Sequence, residues 1–192
     1  MNMLRAFIAI DLPGDLQKAI SQTVELLQKK AGSSGVRWVA AENIHLTLKF
    51  LGDVSPSGVA AIQDMLKTES GLRTRFHLKV GGLGTFPNQK HPRVVWLGVD
   101  TPPELISLQH GMESASAKLG YAPETRPFSP HLTLGRVRET ATTAELAALT
   151  SALKEIKINA LGEFLVEEVH LFKSDLLPGG SVYTRLYSAS LA

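Results

Sequence analysis

The chain contains no cysteine, so disulfides, thiolate catalysis and cysteine-ligated metals are excluded from the start. It also lacks any apolar run near the roughly 20 residues needed to span a bilayer, so no membrane association is expected. The amino terminus, MNMLRAFIAIDLPG, carries one arginine and a short apolar run. Asp11 follows and no small-residue cleavage site does, so it reads as a first strand rather than a signal peptide, and the cytoplasm is the expected compartment. No excess of one charge marks a long nucleic-acid footprint: 20 Lys+Arg stand against 18 Asp+Glu, a balance that still tolerates a phosphate-bearing substrate. There is no Walker motif, and Gly81-Gly82-Leu83-Gly84 fits neither standard phosphate-cradling pattern, which argues against ATP-driven chemistry.

What is present suits a globular protein. At 192 residues, with 44% apolar and 20% charged, the chain can bury a substantial core in one domain or two small lobes. Leu4 to Asp11 is a compact strand-like run. Leu16, Ile20, Val24 and Leu27 recur at helical spacing between Asp15 and Lys30. Val36 to Val39 and Ile44 to Leu51 read as extended, and Ser55-Pro56 has the form of a helix cap for a helix to about Lys67. Strands are expected over 75–80 and 93–99, and a helix over 103–119 with Gly120 as terminator. A strand over 131–137, a helix over 142–155, a strand over 163–173, a Pro178-Gly179-Gly180 turn and a strand over 182–188 follow. Helices and strands interleave without a linker, which leaves α+β and α/β both open.

One feature stands above the rest. His45-Leu46-Thr47-Leu48 recurs 86 positions later as His131-Leu132-Thr133-Leu134. Composition alone produces such a tetrapeptide rarely, and two copies point to a shared purpose. In a strand, residues i and i+2 share a face about 6.5–7 Å apart. His45 and Thr47 then occupy one face, with Leu46, Leu48 and Phe50 on the other; His131 and Thr133 do likewise, backed by Leu132 and Leu134. Brought together, the two fronts would offer two imidazoles and two hydroxyls. A neutral imidazole can deprotonate a nucleophile, an imidazolium can protonate a leaving oxygen, and hydroxyls can donate to non-bridging phosphate oxygens. Histidine's ordinary pKa near 6.5 makes both forms accessible.

At these residues the chain resembles the two-histidine (2H) phosphoesterases, whose hallmark is a pair of His-x-Thr-x motifs, and within them the RNA 2′,3′-cyclic phosphodiesterases, also called 2′-5′ RNA ligases. The likeness extends over RAFIAIDLP, RWVAAENIHLTLKFLGD, PRVVWLGV, FSPHLTLGRV and LFKSDLLPGGSVYTRL. It implies an α+β fold over residues 1–192: two pseudo-symmetric lobes, each an antiparallel sheet flanked by helices, facing a central cleft. It also implies His45 as proton donor, His131 as proton acceptor, and Thr47 and Thr133 as phosphate-binding residues; neither cofactor nor metal is expected. Gly135 departs from the family pattern, where alanine is expected, and should loosen local packing.

Further substrate contacts are weaker expectations. Arg136 could reach a phosphate, although strict alternation puts it with Leu132 and Leu134. Lys49 falls on the His45 face and could add charge to the cleft. Arg126 and Phe128 precede His131 on a loop, where Phe128 could stack on a base. His170, on an apolar strand, reads as structural. The expected partner is RNA, or a nucleotide, ending in a 2′,3′-cyclic phosphate, and the expected state a monomer. Competing functions are 2′-5′ ligation onto a 5′-hydroxyl, non-catalytic binding of RNA ends, and metallohydrolysis, for which two histidines without a nearby carboxylate make a poor zinc site.

Overall fold

The computed structural model describes residues 3–177 and 180–192. In chain order its elements are β1 (Leu4–Ile10), α1 (Gly14–Ala31), β2 (Val36–Trp38), a 3-10 turn (Ala41–Asn43), β3 (Leu46–Val54), α2 (Pro56–Gly71) and β4 (Phe76–Phe86). Then come β5 (Val94–Val99), α3 (Pro103–Lys118), β6 (His131–Val137), α4 (Thr143–Glu155), β7 (Gly162–Val166), β8 (Glu168–Leu177) and β9 (Gly180–Ser190). The expected turn at Pro178-Gly179 lies outside the described residues.

The helices begin where the sequence marks them. Ser55 Oγ accepts from the Gly58 amide ahead of Pro56, and Thr142 with Glu145 closes a reciprocal capping box on α4. Each buries a stripe, as with Leu16, Ile20, Val24 and Leu27 of α1.

The class is α+β, with every described strand pairing antiparallel. The strand order is β7-β4-β5-β6-β3-β1-β8-β9, with β2 on the free edge of β6. Two four-stranded halves are evident: β3-β1-β8-β9, with α2 against β8 and β9 and α3 against β3, and β6-β5-β4-β7. Helices α1 and α4 pack together, and Leu16 of α1 approaches Gly162 of β7. The halves are interlocked in sequence. The first draws β1 and β3 from the start of the chain and β8 and β9 from its end, which is why no linker is visible. They meet at a single ladder pair, Leu46 opposite Leu132.

Two differences from the sequence reading matter. The run 163–173 is not one strand; β7 pairs with β4 and β8 with β1, and the break falls at Glu167, which is ion-paired to Arg75. Strand β4 runs past Val80 through the glycine-rich stretch. It tolerates glycines because Gly84 leaves room for the Trp96 ring, into which an added Cβ would run.

Candidate active site

The Leu46–Leu132 pair organises the site. Both leucines are buried in the core, so their neighbours along each strand point to the opposite face. Antiparallel pairing about that bridge sets His45 across from Thr133, and Thr47 across from His131. All four are half-buried and share one face. Among the described residues neither threonine hydroxyl is committed to a protein partner, so both are free to donate.

Both imidazoles are oriented alike. His45 Nδ1 lies 2.9 Å from the Asn43 carbonyl, and His131 Nδ1 2.7 Å from the Ser129 carbonyl, each two residues back. A carbonyl only accepts, so each Nδ1 carries the proton and donates, leaving Nε2 of each ring available for proton transfer. The turn at Ala41–Asn43 aims the Asn43 carbonyl, with Ile44 buried as its anchor.

The surroundings differ. His45 stacks on Phe7 (ring centroids 4.6 Å apart, 25° between planes) and meets the edge of Tyr183 at 5.1 Å. Phe7 stacks in turn on Phe172 at 5.4 Å, beneath the Arg185 guanidinium, which is also ion-paired to Asp11. Burial in this aromatic nest pushes the His45 pKa below its ordinary value, against the opposing pull of the Asn43 carbonyl and the Asp11 charge. Among the described residues His131 meets an aromatic ring only edge-on, at Phe86, 4.9 Å away. No group of three His, Asp or Glu side chains is placed to hold a metal ion among the described residues.

The secondary candidates fare unevenly, and one local event explains most of it. In the β1–β3 ladder Ala9 faces Thr47 but Ile8 faces Lys49, so Leu48 is a bulge and the alternation shifts phase beyond it. Lys49 therefore turns away from the His45 face. Its side chain is 3% exposed and its Nζ lies 2.6 Å from both Glu113 Oε1 and the Ala122 carbonyl, a structural position rather than a cleft cation. Phe50, expected in the core, comes out on the Phe7 side and is 65% exposed.

The second motif does the same. Trp96 faces Thr133 while Val95 faces Gly135, so Leu134 is the bulge. Arg136 then faces Val94, placing it on the Thr133 face and not with Leu132 and Leu134. Gly135 does not loosen packing; an added Cβ would lie 2.7 Å from Val36 and 2.9 Å from Trp38, so glycine permits a close approach of β2. Phe128 packs against the main core instead of standing free, and Arg126 is an exposed partner of Glu124. His170 is buried and bonded to Ser188. Sequence reasoning passed over Phe7, which backs His45, and Arg37, directly across from Arg136. The apolar run of β1 conceals the first, and the second follows only from the β2–β6 register.

The family model described as LigT like Phosphoesterase matches the chain twice, over residues 10–96 and 97–183. The chain belongs to the LigT-like phosphoesterases. The two matches each carry one His-Leu-Thr-Leu motif. Among relatives, a Methanothermobacter thermautotrophicus protein named RNA 2′,3′-cyclic phosphodiesterase is 36% identical over 181 residues, 94% of this chain and 95% of that protein. An Escherichia coli K12 protein of the same name is 38% identical over 141 residues, 72% of this chain and 75% of that one. Among solved structures, TT0787 of Thermus thermophilus superposes with a TM-score of 0.81 at 26% identity, covering 97% of each chain. E. coli LigT complexed with 3′-AMP gives 0.78 at 31% identity, covering 100% of this chain and 99% of that one. As a member of this family the chain is a phosphoesterase, a hydrolase of phosphoric ester bonds.

Proposed function

We propose that this phosphoesterase opens terminal 2′,3′-cyclic phosphates of RNA to 2′-phosphates by acid–base catalysis between two histidines, without a metal. The observation that carries the reading is the single bridge at Leu46–Leu132, which sets one imidazole and one hydroxyl from each motif around a common space. The name RNA 2′,3′-cyclic phosphodiesterase on relatives aligned over more than nine-tenths of the chain supports the substrate class.

In this reading Nε2 of neutral His131 takes a proton from water as the oxygen attacks phosphorus. Nε2–H of protonated His45 gives its proton to the 3′ oxygen as the P–O3′ bond breaks. Thr47 and Thr133 donate to the non-bridging oxygens, where charge builds in the transition state. Solvent then resets the two protons. The substrate supplies part of its own activation. In the free site burial favours neutral His45; a phosphate anion arriving beside the ring favours the imidazolium needed of an acid. Residues 1–192 act together as one bilobal unit, a monomer working in the cytoplasm.

The test is incubation with adenosine 2′,3′-cyclic phosphate, with and without EDTA, and chromatography of the product. A 2′-phosphate formed equally in EDTA is expected, with His45→Ala and His131→Ala each at least about a hundredfold slower. A better 3′ leaving group should rescue His45→Ala far more than His131→Ala. A 3′-phosphate product, or rescue of the other variant, would overturn the assignment; joining of RNA fragments in preference to hydrolysis would make the chain a ligase.

A further inference from the structure

Phe7 and Ala9 of β1 and Asp11, which directly follows it, alternate onto the site face of the first lobe. Phe7 and Ala9 are uncharged and buried. The register pairs Ala9 with Thr47 and Ile10 with Leu46, so one step further on Asp11 comes opposite His45. A carboxylate is thereby set beside the imidazole of the first motif.

Asp11 is held from two sides. Its Oδ1 accepts from the Leu12 amide at 2.9 Å, and its Oδ2 accepts from Arg185 Nη2. Arg185 belongs to β9, which β8 separates from β1. Arg185 is opposite Phe172 and Phe172 opposite Phe7, so the side chain starts level with Phe7 and crosses β8 diagonally to reach Asp11. On the way its guanidinium lies 5.8 Å from the Phe172 ring centroid, the outer layer of the stack that continues through Phe7 to His45. Arg185 thus meets both the rings behind His45 and the carboxylate beside it. The other groups facing His45 are differently placed. On β8 His170 is bonded to Ser188 and Glu168 to Ser190, while Tyr183 of β9 presents its ring edge. From the other lobe, β6 contributes His131 and Arg136.

Both members of the pair keep contact with water, with 28% of the Asp11 side chain and 46% of that of Arg185 exposed, so the pair itself adds little to stability. Its two charges act on His45 with opposite signs. Burial drives the ring toward its neutral form, and the Asp11 charge pulls it back toward the imidazolium. The guanidinium weakens that pull by neutralising the carboxylate. A proton held too loosely is absent when the 3′ oxygen departs, and one held too firmly is a poor acid.

We propose that Asp11 is a positioning residue that keeps the proton on His45 for transfer to the 3′ oxygen, and that Arg185 is the counterweight limiting that hold. This rests on the cyclic phosphodiesterase reading and deepens it.

The experiment follows the His45 ring titration by NMR, and the pH profile of kcat/KM for adenosine 2′,3′-cyclic phosphate, in the wild type, Asp11→Asn, Arg185→Met and Lys30→Gln. Asparagine keeps the oxygen that accepts from the Leu12 amide, and methionine keeps a stem over Phe172. Lys30, in an exposed pair with Glu155 that joins α1 to α4, controls for general loss of charge. Asp11→Asn should lower the His45 midpoint by about half a pH unit and Arg185→Met should raise it by about as much, the size of one charge felt through largely aqueous surroundings. Lys30→Gln should not move it. One limb of the kcat/KM profile should shift with the midpoint in each variant. If the pair served only to pin β9, breaking it from either side would act alike. Shifts of the same sign in both variants, no shift in either, an equal shift in Lys30→Gln, or midpoints that move while both limbs stay fixed would each overturn the proposal. If the wild type does not turn over the substrate, the phosphodiesterase reading fails, and the NMR arm alone then decides whether Asp11 and Arg185 govern His45.

Discussion

Replacing Lys49 by methionine separates a structural lysine from a cleft cation. Lys49 Nζ is enclosed, 2.6 Å from Glu113 Oε1 and 2.6 Å from the Ala122 carbonyl. Methionine keeps the volume and most of the stem but removes the charge. Glu113, whose side chain is 20% exposed, would keep only the Glu124 amide on Oε1, while its Oε2 is already buried without a partner. Stripping one member from a fully buried pair costs about 3–5 kcal/mol; the partial exposure of Glu113 places this case at the lower end, about 3 kcal/mol. Urea unfolding followed by tryptophan fluorescence measures it. Turnover of adenosine 2′,3′-cyclic phosphate, corrected for the folded fraction, should stay within threefold of wild type. Lys49→Met combined with Glu113→Leu should recover most of the lost stability, because an apolar pair of similar volume has no charge to strand. A Lys49→Met protein that is as stable as wild type but lacks turnover would refute the argument and return Lys49 to the site.

Gly135→Ala should destabilise the fold by about 1–3 kcal/mol, the cost of overpacking, since the new methyl meets Val36, Trp38 and the Arg37 carbonyl within 3.3 Å; an unchanged urea midpoint would show that β2 yields freely. By NMR the His45 ring should titrate below 6.5 in the free protein, because burial disfavours its charged form, and should move upward when inorganic phosphate is added; a midpoint at or above 6.5 without phosphate would contradict the aromatic nest. Desolvation holds the pKa of half-buried His45 and of buried His170 below the ordinary 6.5, so just beneath that value the unfolded chain binds protons that the folded chain does not. Their contribution to stability therefore rises with pH through that window and is level above it. In His170→Gln the loss of Tm between about pH 7 and 5 should be smaller than in wild type, and an unchanged loss would count against it.

The sequence by itself determined the elements and the chemistry on offer. Helical spacing and the Ser55 and Thr142 caps mark helices because those signals are local, involving residues within a turn of one another. The repeated tetrapeptide marks the four polar groups because an alternating strand separates a histidine–threonine front from a leucine back. Strict alternation then failed two places beyond each threonine, since a bulge is a property of two paired strands and leaves no mark on one strand alone. Phe50, Lys49 and Arg136 consequently went to the wrong faces, and a single apolar run at 163–173 hid two strands belonging to different lobes. Only the tertiary structure decided that the motifs meet at one bridge, that carbonyls two residues back hold both imidazoles, and that His45 alone is stacked on an aromatic ring. These are relations between segments far apart in the chain, fixed by how the sheet closes and its core packs.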